Sequence, residues 1–286
     1  MNVSNSKING KQALKGNWGL SISAVVLYTV MVSSFVLLVT PLFSDVMEAW
    51  LDLVWATLFT PVLGAGVRWL HLGMVDGEKK SVSSLFDAFK LYGQMVAMNF
   101  LKGIIATLWA IVPTIIAAGV FVSSLENASS IGGAMATITL YLAIPTIVVL
   151  VVLLKYSQAV YLFRDNPEMG VREALRASKE LMQRSKVDYF TLNLGYALWY
   201  LPAVVLLYVA WYQSAISALP IMWGGNPGAA VTAERIFMLA SVYGLGISFY
   251  VVPQWHAAMA AFHRILVPLE VEEHEGDPFN DNSWTG

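Results

Sequence analysis

The residues of this 286-residue chain that could carry chemistry are few. Its four histidines are His71, His256, His263 and His274, and it has no cysteine. His256 and His263 are seven positions apart, so on a helix they share a face, as a pair of metal ligands would. No acid accompanies them in that stretch, and His263 stands beside Arg264, so they read as packing or interface histidines. Without cysteine there is neither a disulfide framework nor a thiolate metal site. The chain carries no H-E-x-x-H, no G-x-S-x-G, no P-loop and no dinucleotide-binding glycine pattern. No nucleophile–base pair is visible. We therefore assign no catalytic, cofactor-binding or metal-binding residue and expect a protein that is not an enzyme.

One constellation of charged residues remains. Arg172, Arg176, Lys179 and Lys186 fall at offsets of 4, 7 and 14, a single stripe at helical spacing. Val171, Ala174, Leu175, Ser178, Leu181 and Met182 form an adjoining apolar face, and Glu173 and Glu180 point away from it. A helix of this kind can lie on an anionic inner leaflet, apolar side down, each cation contributing on the order of 1 kcal/mol. The same four cations could contact a protein partner, or simply solvate the face and enforce orientation.

The elements that must position these residues are membrane spans. Of the residues, 57% are hydrophobic and 13% charged, against about 45–50% and a quarter in soluble domains. Uncharged runs lie between Lys15 and Asp45, Lys102 and Glu126, Glu126 and Lys155, Asp188 and Glu234, and Arg235 and Arg264. A crossing needs about 20 apolar residues, so the chain is polytopic, and a soluble enzyme or a nucleic-acid binder is excluded. We expect six spans, at about 18–43, 49–72, 97–122, 136–163, 189–212 and 236–266. The second is the shortest apolar stretch, with Asp52 and Arg68 snorkelling near its ends; a re-entrant segment is its competitor. Trp50, Trp55 and Trp69 suit an aromatic belt, whereas Trp109 and Trp199 are expected to lie deeper and line a core. All nineteen acids are assigned to loops, tails or span ends, which argues against proton- or sodium-coupled transport.

Two amphipathic surface helices are expected, at about 81–95 and 167–186. The first would be opened by Ser84-x-x-Asp87 as a capping box, the second by Asn166-Pro167 as cap and first helical residue. Residues 1–269 form a single membrane domain, and 270–286, with six acids and no lysine or arginine, an acidic tail that cannot fold. With six spans, sixteen of the seventeen lysines and arginines fall on one side, leaving Arg235 alone on the other. The positive-inside rule then puts both termini in the cytoplasm. Gln12-Ala13-Leu14-Lys15, Asp87-Ala88-Phe89-Lys90 and Glu173-Ala174-Leu175-Arg176 each precede an odd-numbered span, which suggests a surface helix and helical hairpin used three times.

Lys155-Tyr156-Ser157-Gln158-Ala159, Asp165-Asn166-Pro167-Glu168 and Glu173–Met182 together resemble the signature of a bacterial integral membrane protein family. It is the domain-of-unknown-function family numbered nine hundred and seventy-five. Pro61–Gly64, Ser84–Phe89, Val252-Pro253 and Ala260–His263 are similar to it as well. The resemblance runs from Ala13 to Leu266 and implies a bacterial plasma-membrane location and no particular activity. The expectation is a non-enzymatic binding or accessory component, in contact with anionic lipids at the cytoplasmic face and with no cofactor. The alternative is the permease subunit of a transporter driven by a separate nucleotide-binding subunit, with the helix at 167–186 as coupling helix.

Overall fold

The computed structural model describes residues 2–39, 42–43, 45–126, 131–217, 226 and 228–268. The acidic tail lies outside these residues. Among them six helical stretches are long and apolar enough to cross a membrane: Trp18–Leu38, Val46–Val75, Val82–Ser124, Thr137–Asp165, Lys186–Ser217 and Gly228–Leu266. The protein is an all-α, six-span membrane protein.

Helix α1 (Asn2–Leu14) ends at Gly16, whose positive φ of 81° only glycine adopts without strain. The first span is α2 (Trp18–Leu38). The second is two helices, α3 (Asp45–Leu58) and α4 (Thr60–Val75), because Pro61 cannot donate to the preceding turn. Thr60 Oγ1 donates to the Trp55 carbonyl (3.3 Å) across the break. A 3-10 segment, Val82–Leu91, leads into α5 (Tyr92–Glu126). Its capping box is Ser81 with Ser84, so Ser84 answers the cap rather than forming it, and Asp87 pairs instead with Lys90 (2.9 Å).

The fourth span is also broken, into α6 (Ile131–Leu154) and α7 (Ala159–Asp165). Here the cause is a side chain from elsewhere. Ser178 Oγ donates to the Lys155 carbonyl (3.0 Å) and accepts from the Gln158 amide (3.1 Å), replacing ladder bonds between the two helices. Helix α8 (Val171–Leu181) begins after Gly170, later than Asn166-Pro167 suggests. Pro167 disfavours helical backbone at Asn166 (φ −136°, ψ 88°), which closes α7 and accepts at Oδ1 from the Glu168 amide (3.3 Å).

In the fifth span α9 (Lys186–Ala197) and α10 (Leu201–Ser217) are joined by one 3-10 turn, Leu198–Tyr200. Pro202 supplies no amide for that junction. The sixth, α11 (Gly228–Leu266), starts earlier than expected, at an Asn226 turn whose Oδ1 accepts from the Gly228 amide (3.0 Å). Pro113, Pro145 and Pro253 lie inside helices.

Packing divides the bundle into two halves. The largest fully buried side chains are Leu14, Leu63, Leu70, His71, Leu72, Leu85, Met95, Phe163, Met182, Leu192, Phe262 and His263. All lie towards the end where α1 packs on the last turns of α11, with Gly10 against the Ala257–Ala258 backbone. In the other half, large apolar residues such as Leu37, Ile115, Leu140 and Val242 are exposed, as lipid-facing residues must be. What is buried there is mostly alanine: Ala203 and Ala210 of α10, Ala233 and Ala240 of α11. Small residues let helices approach closely where lipid leaves no hydrophobic drive between them.

Candidate functional site

The polar residues converge at the packed end. Helix α4 stops in a Schellman turn: Gly77 has φ 74°, and the Glu78 amide donates to the Gly73 carbonyl (2.9 Å). That turn sets Asp76 and Glu78 against the ends of α7 and α11. Arg264 grips Asp76 with Nε (2.7 Å) and Nη2 (3.0 Å), and Asp165 with Nη1 and Nη2 (both 2.7 Å). Arg164 donates to Asp76 (2.8 Å) and to Glu78 (2.5 Å), and Lys80 pairs with the other Glu78 oxygen (2.6 Å). The Asp76 side chain is only 5% exposed. Three acids face three permanent cations, and every carboxylate oxygen is engaged.

A line of hydrogen bonds runs inward from this cluster. The buried His263 ring joins Asp165 Oδ2 (2.9 Å) to Gln158 Oε1 (3.1 Å). Gln158 leads through its backbone to Ser178 and so to α8. Fully engaged charges at the meeting point of three helices make a clamp. Sequence reasoning missed it. Asp76 and Arg264 are 188 positions apart, and the one available hint was that Asp76, Asp165 and Arg264 each end a span on the same side.

The stripe at α8 is found in altered form. Ala174, Leu175, Ser178 and Met182 are buried, packed in the cluster that holds Met95, Met98, Ala159 and Phe163. The apolar face is thus taken up by protein and not left for lipid. Arg172, Arg176 and Lys179 are exposed, as are Glu173 and Glu180, and Arg176 Nε bonds Glu180 (3.1 Å). Lys186 leaves the stripe. Helix α8 ends at Leu181, and Lys186 opens α9, half-buried, after an intervening turn.

His71 and His256 are packing residues. His71 Nδ1 donates to the Val67 carbonyl (2.7 Å), so Nε2 accepts from the Ser21 hydroxyl (2.7 Å), and its ring lies 5.1 Å from that of His256. His263, by contrast, is buried and wired, not an interface residue. Trp69 leaves the expected belt for the core, donating to the Val160 carbonyl (2.6 Å). Trp109 and Trp199 do not line a core: they are 58% and 50% exposed, and Trp109 carries the Lys155 ammonium over its ring at 5.4 Å.

The fold and the clamp define the class, a multi-pass helical membrane protein closed at one end by an ion network. Within that class the chain belongs to the family described as protein of unknown function (DUF975), which matches residues 1–268. No curated protein and no solved structure matches the chain.

Proposed function

We propose that this protein is a non-enzymatic accessory component of a bacterial plasma membrane, with both termini cytoplasmic, that presents α8 to a protein partner. The observation that carries this reading is the placement of α8. Its apolar face is spent on the core, so what it offers outward is a rigid polar surface of Arg172, Glu173, Arg176, Lys179 and Glu180. With Ala174, Leu175 and Met182 buried and only Val171 and Leu181 half-exposed, such a surface suits a charged protein face better than lipid. The positive-inside bias supports the orientation: sixteen of the seventeen basic residues fall on this side.

A second reading, the permease subunit of a transporter with a separate nucleotide-binding subunit, is favoured by one contact. Ser178 of α8 bonds inside the α6–α7 break, so a push on α8 would be felt by the fourth span, as a coupling helix requires. Co-purification from native membranes tests both readings. We expect a stoichiometric protein that is lost when Arg172, Arg176 and Lys179 are changed to glutamine, while reporter-fusion topology stays unchanged. A nucleotide-binding subunit as that protein would select the second reading. Retention of the partner by the triple variant would overturn both.

A further inference from the structure

Arg68 lies in α4, inside the second span, seven residues before Val75, or about 10 Å along the helix. Among the described residues no carboxylate pairs with it. The acids of the clamp and the neighbouring 3-10 segment are committed elsewhere: Asp76 and Asp165 to Arg264, Glu78 to Arg164 and Lys80, Asp87 to Lys90. The level of Arg68 therefore carries positive charge without a counter-ion.

Arg68 opens onto a groove of about 560 Å3 between α2, α4 and α11, within the roughly 300–1,000 Å3 of small-molecule sites. Val26, Val30, Leu245, Phe249 and Val252 give it apolar walls that rise into the lipid-facing half. Tyr28 and His256 line it beside Arg68, and among the described residues neither side chain makes a hydrogen bond. A buried or half-buried cation with no partner, set beside an unused hydroxyl, is costly in an apolar surround. One anionic oxygen cluster would satisfy the cation and the hydroxyl together.

We propose that this groove holds an anionic phospholipid, its phosphate against Arg68 and Tyr28 and an acyl chain along the valine-lined wall. The charge complementarity selects the occupant: a guanidinium at the base requires an anion, and walls of valine, leucine and phenylalanine require hydrocarbon attached to it. A soluble anion would lack the second feature, and in a zwitterionic lipid the headgroup's own cation offsets the phosphate and is repelled by Arg68, so a net negative headgroup is favoured. The site rests on the chain being a membrane protein and not on the partner proposed for α8.

The test uses the full chain purified in neutral detergent, with phosphatidylglycerol or phosphatidylcholine added, and reads both melting temperature and retained lipid by native mass spectrometry. We expect phosphatidylglycerol to be retained and to raise the melting temperature, and phosphatidylcholine to do neither. Arg68→Gln should weaken phosphatidylglycerol binding roughly 10- to 100-fold, the loss of one charge-assisted hydrogen-bonding group. Should that variant fail to fold, Val26→Trp, which blocks the wall from a partly exposed position, should abolish retention with Arg68 intact. The glutamine variant of Arg172, Arg176 and Lys179 should bind phosphatidylglycerol as the parent does, which separates this site from the α8 surface. Equal binding of both lipids, undiminished binding by Arg68→Gln or Val26→Trp, or tighter binding of free palmitate than of phosphatidylglycerol would overturn the proposal.

Discussion

Replacing Asp76 by asparagine removes the charge on which two arginines converge. Asp76 accepts from Arg264 Nε and Nη2 and from Arg164 Nη1, with side chains 5%, 12% and 14% exposed. Removing one partner of a buried ion pair costs about 3–5 kcal/mol, because the other charge is left uncompensated. Each arginine here keeps a second acid, Glu78 for Arg164 and Asp165 for Arg264, which lowers the expected loss to about 2–4 kcal/mol. At roughly 2–4 °C per kcal/mol for a chain of this size class, the detergent-solubilised protein should melt about 4–16 °C lower. Asp87→Asn is the control. Its partner Lys90 is 79% exposed, so the change should cost less than about 1 kcal/mol. Combining Asp76→Asn with Arg264→Gln should lose less than the two single variants added together, because the second change removes a charge already stranded. Equal melting of the Asp76 and Asp87 variants, or strict additivity in the cycle, would refute the clamp.

Gly66→Ala should destabilise by about 1–3 kcal/mol, read as a lower melting temperature, since a Cβ at Gly66 would collide with the Leu85 backbone carbonyl, which cannot swing aside. Ser178→Ala removes the hydroxyl that bridges the α6–α7 break and should cost about 1–3 kcal/mol in the same assay, unless a water takes its place. Reporter fusions after residues 43, 127 and 225 should report outside and those after residues 80, 186 and 275 inside; an inside signal at 127 breaks the six-span topology. Deleting the acidic residues after 270 should leave the melting temperature unchanged, and a clear loss would mean that the tail docks on the basic face.

The spans were legible because two coarse quantities define them, the length of hydrocarbon to be crossed and the side on which cations accumulate. Local breaks were legible only in part. Pro61 and Pro202 stand at junctions, yet Pro113, Pro145 and Pro253 sit within continuous helices. The break at Lys155–Gln158 has no local signal at all, since the group that makes it belongs to α8. The 3.6-residue period of α8 is the same whether lipid or protein covers its apolar face, so the stripe was readable and its cover was not. Depth misled for Trp109 and Trp199 for a related reason. In a bilayer an apolar residue far from charge can face lipid as readily as core. The clamp was hidden because its members come from three distant segments, each of which taken alone looks like an ordinary positive-inside flank.

The two halves of the bundle are held by different physics. In the lipid-facing half, exposed leucines, isoleucines and valines surround contacts made by Ala203, Ala210, Ala233 and Ala240, and close packing draws the helices together with a few interhelical hydrogen bonds, such as that from the Tyr243 hydroxyl to the Trp199 carbonyl (2.8 Å). In the other half a core of full-sized side chains is locked by charges that bridge α4, α7 and α11. The segments Lys155–Ala159, Asp165–Glu168 and Glu173–Met182, which resemble the family's signature, lie in the second half. Gln158 and Asp165 hold His263; Asn166 turns the chain towards α8; Ala174, Leu175 and Ser178 seat that helix. Those residues are therefore the joinery of one rigid end. A surface held this firmly can receive a partner with little ordering cost.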